Sequence, residues 1–282
     1  MSQKNVRKAE EKLAILKQIL SRMGHIVIGY SGGVDSTFLL KVSRDVLGDN
    51  VLAVIAKSET YPEREFNFAV QMAESMGVRY RIIRTEETDK VKFRQNPPDR
   101  CYYCKDELFC KLKEVAGKEG FVNIADGTNA EDVQDFRPGL KALSRHSVRS
   151  PLKEAGMDKN EIRYLSRMMG LKTWNKPSFA CLSSRFPYGT AIDKEQLKKV
   201  DAAENFLIDN GLRCIRVRHY DNMARIEVGE EEFIKIMRKS LRERIVKKFK
   251  ELGYTYVTLD LQGYRTGSMN EVLSEEEKNG YL

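Results

Sequence analysis

The stretch Ser31-Gly-Gly-Val-Asp-Ser-Thr37 decides the fold, and the five residues before Tyr30 read His-Ile-Val-Ile-Gly. A short apolar run enters a glycine pair, and an amphipathic pattern then runs from Asp35 to Leu47. This order predicts a strand, a tight turn and the N-terminus of a helix. Glycines let the backbone approach a phosphate closely, and the N–H groups of a helix start point at an anion. The stretch therefore predicts a phosphate-binding loop, with hydroxyl groups at Ser31, Ser36 and Thr37.

The loop is not of the Walker type, because the Lys-Ser/Thr ending of that motif is absent. Ser-Gly-Gly-x-Asp-Ser resembles the pyrophosphatase loop of the PP-loop ATPases, which cleave ATP between its α and β phosphates and adenylate an acceptor. The alternative is an ordinary strand-to-helix turn with a helix cap. It is disfavoured because all six positions of the motif are matched directly after a predicted strand. The resemblance implies that Asp35 shares Mg²⁺ with the phosphates. It also implies ATP contacts from Ser31, Gly32, Gly33, Asp35, Ser36 and Thr37.

Composition places the protein among soluble enzymes of a reducing compartment. The chain has 282 residues, 41% of them hydrophobic, and no apolar run approaches the roughly 20 residues of a membrane span. The N-terminal pattern from Lys4 to Ile19 is charged and helical, unlike a secretory signal. Five cysteines are an odd number, which favours free thiols over a disulfide framework. We expect a cytoplasmic protein that has no membrane partner.

The positive charge of the chain is unevenly distributed. The formal net charge is +8, yet residues 193–282 hold 17 Lys and Arg against 17 Asp and Glu. The surplus therefore lies in residues 1–192. Such a surplus attracts nucleic acid or a polyanionic small molecule, or it forms solvated helix faces. Residues 137–176 form a basic stretch with ten Lys and Arg against three Asp and Glu. Aromatic interleaving and RNA-binding motifs are absent from this stretch, so we do not expect nucleic acid as a partner.

The first half of the chain alternates strand-like and helix-like segments. This alternation predicts an α/β fold of the doubly wound type, in which helices cover both faces of a parallel sheet. Ligands of such sheets bind where the strand order reverses. The first strand ends at Ser31, and the fourth ends at Asp126-Gly127-Thr128-Asn129. If these strands are neighbours, the nucleotide lies between them and contacts Gly127. The predicted strands are Ile26–Tyr30, Val51–Ala56, Val78–Ile83 and Phe121–Ala125.

The pattern changes again from Asp193. Two predicted helices, Lys194–Asp209 and Glu230–Leu252, accompany about three strands and make a small α+β unit. We therefore expect a PP-loop domain over residues 1–190 and a second domain for substrate binding or oligomerisation over residues 191–282.

Three of the five cysteines have the setting of functional thiols. Cys101-Tyr-Tyr-Cys104 follows a turn and precedes a helix, and two such thiols can ligate one metal or cluster iron. Cys181 lies in a loop-like stretch rich in hydroxyl side chains, where a structural cysteine is uncommon. Cys110 and Cys214 occupy apolar periodic positions, so we expect both in the core. Zinc would need two further ligands beyond the pair, and no second pair exists.

With these cysteines the sequence resembles the LarE family of ATP-dependent sulfur transferases. The resemblance runs in order from about residue 10 to residue 270. It rests on the loop Ser31–Ser36, Arg100-Cys-Tyr-Tyr-Cys-Lys105, Asp126–Asn129, Pro177-Ser-Phe-Ala-Cys-Leu-Ser-Ser-Arg185, Arg216-Val-Arg-His219 and Gly263-Tyr-Arg-Thr-Gly-Ser-Met-Asn270.

The resemblance implies a step in making the nickel-pincer nucleotide cofactor of lactate racemase. ATP adenylates a carboxylate of pyridinium-3,5-biscarboxylic acid mononucleotide, and sulfur then displaces AMP to give a thiocarboxylate. Within the family, sulfur comes either from a sacrificed cysteine that matches Cys181, or from a 4Fe-4S cluster on three cysteines. Cys101, Cys104 and Cys181 point to the cluster branch, and the sulfide donor stays unidentified. We expect a homo-oligomer.

The resemblance also implies roles for residues near Cys181 and in the second domain. Cys181 and Asp35 are the expected catalytic residues. Thr128, Asn129, Ser184 and Arg185 are expected in the substrate site. Arg216 and Arg218 lie two apart on a strand and share a face, which suits bidentate contacts to the mononucleotide phosphate. Surface arginines paired to Glu227 or a similar group are the equal alternative.

Three other functions share parts of this pattern. A PP-loop tRNA thiolase would use the same loop, the same cysteines and a 4Fe-4S cluster, but the neutral C-terminal part lacks an RNA-binding appendage. An amidotransferase-type synthetase would need a glutaminase domain or another ammonia source. A non-enzymatic adenine-nucleotide sensor would use the cysteines only for zinc.

Overall fold

The computed structural model describes residues 2–133, 138–177 and 179–281. The strands are β1 (Ile26–Gly29), β2 (Val51–Lys57), β3 (Arg79–Arg84), β4 (Asn123–Ala125), β5 (Ile215–Tyr220), β6 (Met223–Val228) and β7 (Tyr256–Leu259). The helices are α1 (Gln3–Met23), α2 (Val34–Leu47), α3 (Glu63–Ser75), α4 (Val91–Arg94), α5 (Arg100–Glu119), α6 (Leu140–His146), α7 (Pro151–Glu154), α8 (Lys159–Met168), α9 (Lys194–Asp209), α10 (Phe233–Ile236), α11 (Lys239–Glu251) and α12 (Glu275–Tyr281). Among these described segments, no helix is both long and apolar enough to span a bilayer.

The chain divides into two compact units. The first unit holds the residues up to Glu87 together with Asp99–Phe179, and the second holds Thr88–Pro98 and Ala180–Tyr281. This division differs from the expected boundary at residue 190. Hydrogen bonds explain the difference, because Asn96 Nδ2 donates to the carbonyl oxygens of Phe186 and Pro187 at 3.2 and 2.7 Å. The segment before Pro98 is thereby tied to the segment after Cys181, although about 90 residues separate them.

The first unit contains a four-stranded parallel sheet in the order β3-β2-β1-β4. The predicted parallel sheet is therefore confirmed, and so is the pairing of the first and fourth strands, in which Ile28 lies opposite Ala125. The chain moves outward from β1 through β2 to β3 and then returns to the other side of β1. Strand order thus reverses between β1 and β4, where ligands of such sheets bind.

Strands β1 and β2 are buried on both faces, which explains their continuous apolar runs. Ile26 and Ile28 pack in one core cluster with residues of α1, α2, α3 and α8. Val27 and Leu52 face the other way and pack with Phe109 and Leu112 of α5 and with residues of α6. The two clusters fix the carboxyl ends of β1 and β4 in place.

The second unit is built on a three-stranded sheet in the order β5-β6-β7. Strands β5 and β6 form an antiparallel hairpin, and β7 joins β6 in parallel. Its core includes Leu207 of α9 and Ile245 and Phe249 of α11.

The single helix predicted for Glu230–Leu252 is wrong. Helix α10 ends at Ile236, and α11 begins at Lys239. Leu241, Ile245 and Phe249 are spaced by four and share one buried face, whereas an unbroken helix would rotate Ile236 about 140° from Leu241. The break lets Ile236 reach the same core.

Candidate active site

A cavity of about 410 Å³ opens at the carboxyl ends of β1 and β4 in the first unit. Its walls come from the loop after β1, the first turn of α2, the loop after β4, Tyr61, Glu65 of α3, three residues of α5, Lys159 of α8, and the residues Lys176, Pro177 and Phe179. The lining includes Ser31, Gly33, Asp35, Ser36, Tyr61, Glu65, Lys105, Asp126, Gly127, Thr128, Asp132, Lys159, Lys176 and Phe179. The cavity lies where the strand order reverses, as the sequence predicts for a nucleotide.

Two glycines shape the cavity wall. Gly32 has a φ of +60°, and a Cβ there would lie 2.9 Å from Ala69 Cβ. At Gly127 a Cβ would lie 2.9 Å from the backbone nitrogen of Ser36. Side chains are therefore excluded at both positions. A side chain at position 32 would be strained by the positive φ, and one at position 127 would cover the start of α2. The first N–H groups of α2, which have no partner within the helix, stay open toward the cavity.

The predicted ATP residues separate into two groups in the structure. Ser31, Gly33, Asp35, Ser36 and Gly127 line the cavity. Ser31 Oγ and Ser36 Oγ lie 3.1 Å apart, so both hydroxyls are held at the helix start. Gly32 and Thr37 support the loop from behind, because Gly32 packs on Ala69 and Thr37 is fully buried. Thr37 Oγ1 lies 3.2 Å from the hydroxyl of Tyr30.

Asp35 occupies a low-dielectric position in the first turn of α2. Its Oδ2 accepts a hydrogen bond from Lys159 Nζ. Its Oδ1 is buried, and no described residue hydrogen-bonds it. Burial raises the pKa of the Asp35 carboxyl above its ordinary value, against the opposing effect of Lys159. Asp35 thus lines the nucleotide-sized cavity with a carboxylate that has one buried oxygen without a described partner.

The loop after β4 is organised by Asp126. Its Oδ1 accepts from Ser150 Oγ at 2.8 Å, and its Oδ2 accepts from Thr128 Oγ1 at 2.6 Å. Thr128 lines the cavity next to Gly127. Asn129 instead points into its own loop, where its Oδ1 accepts from the backbone nitrogens of Glu131 and Asp132 at 2.9 and 3.2 Å. Asn129 shapes the wall from behind, and Thr128 is the residue of the predicted pair that reaches the cavity.

Three lysines line the cavity, Lys105, Lys159 and Lys176, and none of them was predicted as a site residue. Lys159 begins α8 and pairs with Asp35, and Lys176 contacts the loop itself. Lys176 Nζ donates to the carbonyl oxygen of Gly32 at 3.1 Å and lies 2.6 Å from Glu65 Oε2. Lys159 and Lys176 stand in a basic stretch that also fits a solvated surface, so the sequence carried no signal that separates them from their neighbours.

Two aromatic residues next to these lysines were also missed. The hydroxyl of Tyr61 donates to the carbonyl oxygen of Ser31 at 2.7 Å. The rings of Tyr61 and Phe179 lie 6.3 Å apart in an edge-to-face arrangement. The segment that leads to Cys181 is thereby attached to the loop that follows β1.

The cysteines differ in their settings, and all five are thiols. Cys101 and Cys104 lie in the first turns of α5, where residues three apart share a helix face. Cys181 belongs to the second unit and precedes the short 3₁₀ helix Leu182–Arg185. The expectation that Cys110 and Cys214 are core residues is wrong for Cys110, which is exposed, and Cys214 is only half-buried. The buried face of α5 runs through Phe109, Leu112 and Ala116, and Cys110 is one residue out of phase with it.

Arg185 and Arg218 hold the segment around Cys181. Arg185 is fully buried, and its Nε and Nη2 bond the two carboxylate oxygens of Glu204 at 2.9 and 2.8 Å. Its Nη1 donates to the carbonyl oxygens of Ala180 and Cys181 at 2.6 and 3.0 Å and to Ser184 Oγ at 2.8 Å.

Arg218 pairs with Glu227 in the same bidentate way, at 2.8 and 2.9 Å, and donates to the carbonyl oxygen of Ser184 at 2.6 Å. The pairing with Glu227 matches the alternative raised from the sequence, although Arg218 is buried rather than on the surface.

Arg216 has a different environment on the same strand. Its Nη2 lies 3.3 Å from the hydroxyl of Tyr264, and its guanidinium stacks 4.9 Å from the ring centroid of that tyrosine. Burial, and then the cations Arg185 and Arg218, lower the pKa of Arg216. An anion bound beside Arg216 would favour its charged form and so raise its pKa again.

The parallel sheet, the Ser-Gly-Gly loop and the cavity above it define an ATP-dependent enzyme of the PP-loop class. In agreement, the NAD synthase family matches residues 9–109. Longer matches extend over nearly the whole chain. An uncharacterized protein of Synechocystis is 40% identical over 94% of this chain and 99% of its own. The pyridinium-3,5-bisthiocarboxylic acid mononucleotide synthase of Lactiplantibacillus plantarum is 38% identical over 94% of this chain and 96% of its own.

A third relative, an uncharacterized protein of Methanocaldococcus jannaschii, is 32% identical over 86% of this chain and 91% of its own. Identity at this level over both domains shows common descent of the whole chain. The protein belongs to the LarE family, which includes the bisthiocarboxylic acid mononucleotide synthase of Lactiplantibacillus plantarum.

Proposed function

We propose that this protein is an ATP-dependent sulfur transferase that acts on pyridinium-3,5-biscarboxylic acid mononucleotide in nickel-pincer cofactor biosynthesis. One observation carries the proposal. The chain has the PP-loop cavity with its buried Asp35, within a sequence that is 38% identical over 94% of its length to the synthase of the corresponding bisthiocarboxylic acid.

The first step is adenylation of a substrate carboxylate. A carboxylate resists attack by sulfur because oxide is a poor leaving group. A carboxylate oxygen therefore attacks the α-phosphorus of ATP, and pyrophosphate leaves. The N–H groups at the start of α2 and the hydroxyls of Ser31 and Ser36 bind the departing phosphates. Lys159 adds a cation at the same end of the cavity.

The cavity also suits Mg²⁺, which PP-loop chemistry implies. A hard divalent cation prefers carboxylate oxygens and phosphate oxygens, and the carboxylate of Asp35 lines the cavity. The carboxylate of Asp132 lies near enough to raise the pKa of Asp35, so a second acidic group faces the same place. Mg²⁺ held by Asp35 would neutralise the phosphates during the transfer.

The second step replaces AMP by sulfur. Sulfide attacks the carbonyl carbon of the acyl adenylate, AMP leaves, and a thiocarboxylate remains. We propose that Cys101, Cys104 and Cys181 would hold a 4Fe-4S cluster, which would supply the sulfide for this step. The two thiols of α5 suit such a cluster, because they share one helix face at its start. Donation of the sulfur of Cys181 itself is the other route in this family.

The mononucleotide phosphate has a candidate partner in the second unit. Arg216 is a buried cation that is flanked by Arg185 and Arg218, and its fork geometry suits a phosphate. Arg218 and Arg185 are engaged by carboxylates, so we assign them the task of holding the segment around Cys181 and Ser184. Thr128 is the proposed substrate contact at the ATP cavity.

Product analysis tests this function. Purified protein is incubated anaerobically with ATP, Mg²⁺, sulfide and the pyridinium biscarboxylic mononucleotide. We expect AMP and pyrophosphate, together with a product in which one carboxylate oxygen is replaced by sulfur. ADP and phosphate as the main nucleotide products, or thiolated tRNA without any thiocarboxylate, would contradict the proposal.

A further inference from the structure

Three side chains with metal-ligand chemistry meet where α5 packs on α6. Asp106 and Cys110 lie one turn apart on α5, and His146 is the last residue of α6. One ligand atom from each lies within 4.8 Å of the other two, and His146 Nε2 is 2.8 Å from Asp106 Oδ1. A carboxylate, a thiol and an imidazole thus converge without taking part in the proposed sulfur transfer.

Burial gives the three groups complementary properties. The His146 side chain is only 8% exposed, and its ring packs 6.0 Å from that of Phe109, so its orientation is fixed. Asp106 is half-buried, and Cys110 is exposed. A fixed imidazole at the base and an accessible thiol at the edge leave a route by which an ion can enter.

The position of Cys110 separates this cluster from the proposed iron–sulfur ligands. Cys110 follows Cys104 by six residues and Cys101 by nine. At 100° per residue, Cys110 lies about 120° around the helix from Cys104 and about 180° from Cys101. The exposed Cys110 therefore belongs with Asp106 and His146 rather than with the pair at the start of α5.

Arg145 forms an ion pair with Asp106, the carboxylate of this cluster. Its Nη1 lies 3.1 Å from Asp106 Oδ1 and donates to the hydroxyl of Tyr102 at 2.8 Å. The Arg145 side chain is 61% exposed, so it can turn into solvent when another cation binds Asp106. A divalent ion bound by one thiolate and one carboxylate gives a neutral group, as Arg145 and Asp106 do now.

We propose that Asp106, Cys110 and His146 form a binding site for a zinc-type divalent cation, with water as the fourth ligand. Sulfur, nitrogen and oxygen donors in one site match the preference of Zn²⁺. The bound ion cross-links α5 to α6 and steadies the helix that carries Cys101 and Cys104.

Cobalt titration tests the site independently of sulfur transfer. The full-length chain carries Cys101→Ser, Cys104→Ser and Cys181→Ser, so the proposed cluster ligands cannot bind the probe. We expect one equivalent of Co²⁺ to give a thiolate charge-transfer band and the visible bands of tetrahedral cobalt, and Zn²⁺ to displace it. No thiolate band at one equivalent would overturn the proposal.

Variants in that background identify the ligands. Cys110→Ser and His146→Gln should each weaken cobalt binding at least about tenfold, whereas Cys214→Ser should leave it unchanged. Arg145→Gln should tighten binding, because the competing cation is removed. A band that survives Cys110→Ser, or that disappears with Cys214→Ser, would assign the metal elsewhere and overturn the proposal. Thermal melts of each variant without metal show whether it is folded.

Discussion

Asp35 illustrates how one residue combines a structural and a chemical position. It stands in the first turn of α2, where an acidic side chain favours the helix dipole, yet its Oδ1 lies buried without a described partner. A residue that only capped the helix would use both oxygens on the protein. The Asp35 carboxylate also lines the nucleotide-sized cavity, so we expect it to meet a ligand that arrives with the nucleotide.

Asp35→Ala should abolish formation of AMP and pyrophosphate while the fold persists. Lys159 is 24% exposed and can turn to solvent when its partner is lost, so the stability cost is small. Asp45→Ala is the matched control, since Asp45 lies on the same helix and its side chain is 44% exposed. Chromatography of nucleotide products and a thermal melt of both variants decide the matter. An active Asp35→Ala enzyme would remove Asp35 from the mechanism.

His219 gives the second unit a pH-dependent stability. It is 2% exposed, its Nδ1 lies 3.1 Å from the hydroxyl of Tyr254, and no described residue hydrogen-bonds its buried Nε2. Burial, and then Lys199, lower the pKa of His219. The unfolded chain therefore binds a proton at higher pH than the folded one, so acidification below about 6.5 favours unfolding.

The free energy of unfolding should therefore fall more steeply between about pH 7 and pH 5 in the native protein than in His219→Phe, because this range spans the ordinary histidine pKa of roughly 6.5. Urea titrations at several pH values measure this difference. His25→Gln is the control, because His25 is exposed, and it should keep the native slope. Equal slopes in the native protein and His219→Phe would contradict the buried neutral imidazole.

At the scale of elements, the sequence pattern predicted those features that depend on neighbouring residues in the chain. The apolar runs and the glycine pair gave the parallel sheet and the loop after β1, because burial on both faces leaves no other pattern for these strands. Cys110 and the break before Lys239 were missed, since helix phase depends on which neighbour a helix packs against. Lys159 and Lys176 were missed because their partners, Asp35 and Gly32, lie more than 120 residues away along the chain.

The segment from Lys176 to Phe179 connects the ATP loop with the cysteine segment. Lys176 holds the carbonyl oxygen of Gly32, and Tyr61 holds that of Ser31 while packing against Phe179. Cys181 follows two residues later. We therefore expect Lys176 to help position the segment that carries Cys181 for sulfur transfer.

Lys176→Met should lower the yield of thiocarboxylate per AMP about tenfold or more, because a displaced sulfur loses the acyl adenylate to water. Lys172→Met is the matched control, as Lys172 is exposed in the same segment. Simultaneous measurement of AMP and thiocarboxylate gives the ratio. A lower rate of both products at an unchanged ratio would show that Lys176 serves ATP binding alone.

At the scale of the whole molecule, the proposed chemistry draws on both units. Cys101 and Cys104 belong to the first unit and Cys181 to the second, and such a triad could be recognised in the sequence only by its resemblance to a family. Anaerobically reconstituted protein should be brown, with about four irons per chain. Cys181→Ser should lose the cluster, whereas Cys214→Ser should retain it. Colourless protein, with loss of hydrogen sulfide mass from the peptide that contains Cys181, would establish the sacrificial route instead.

Arg216 separates a small-molecule substrate from RNA. Loss of one charge-assisted phosphate contact costs about 2 kcal/mol, so Arg216→Ala should slow sulfur transfer to the pyridinium mononucleotide at least about tenfold. Its affinity for ATP should stay unchanged, because Arg216 belongs to the second unit and the ATP loop to the first. Arg213→Ala is the control, since Arg213 is exposed beside the same strand.

An RNA enzyme would bind through many phosphates, with a steep salt dependence and a mild effect of any one arginine. Sulfur incorporation into each substrate, measured for the native protein and both variants over a range of salt concentrations, distinguishes the two. A salt-dependent thiolation of tRNA that survives Arg216→Ala would favour the RNA substrate.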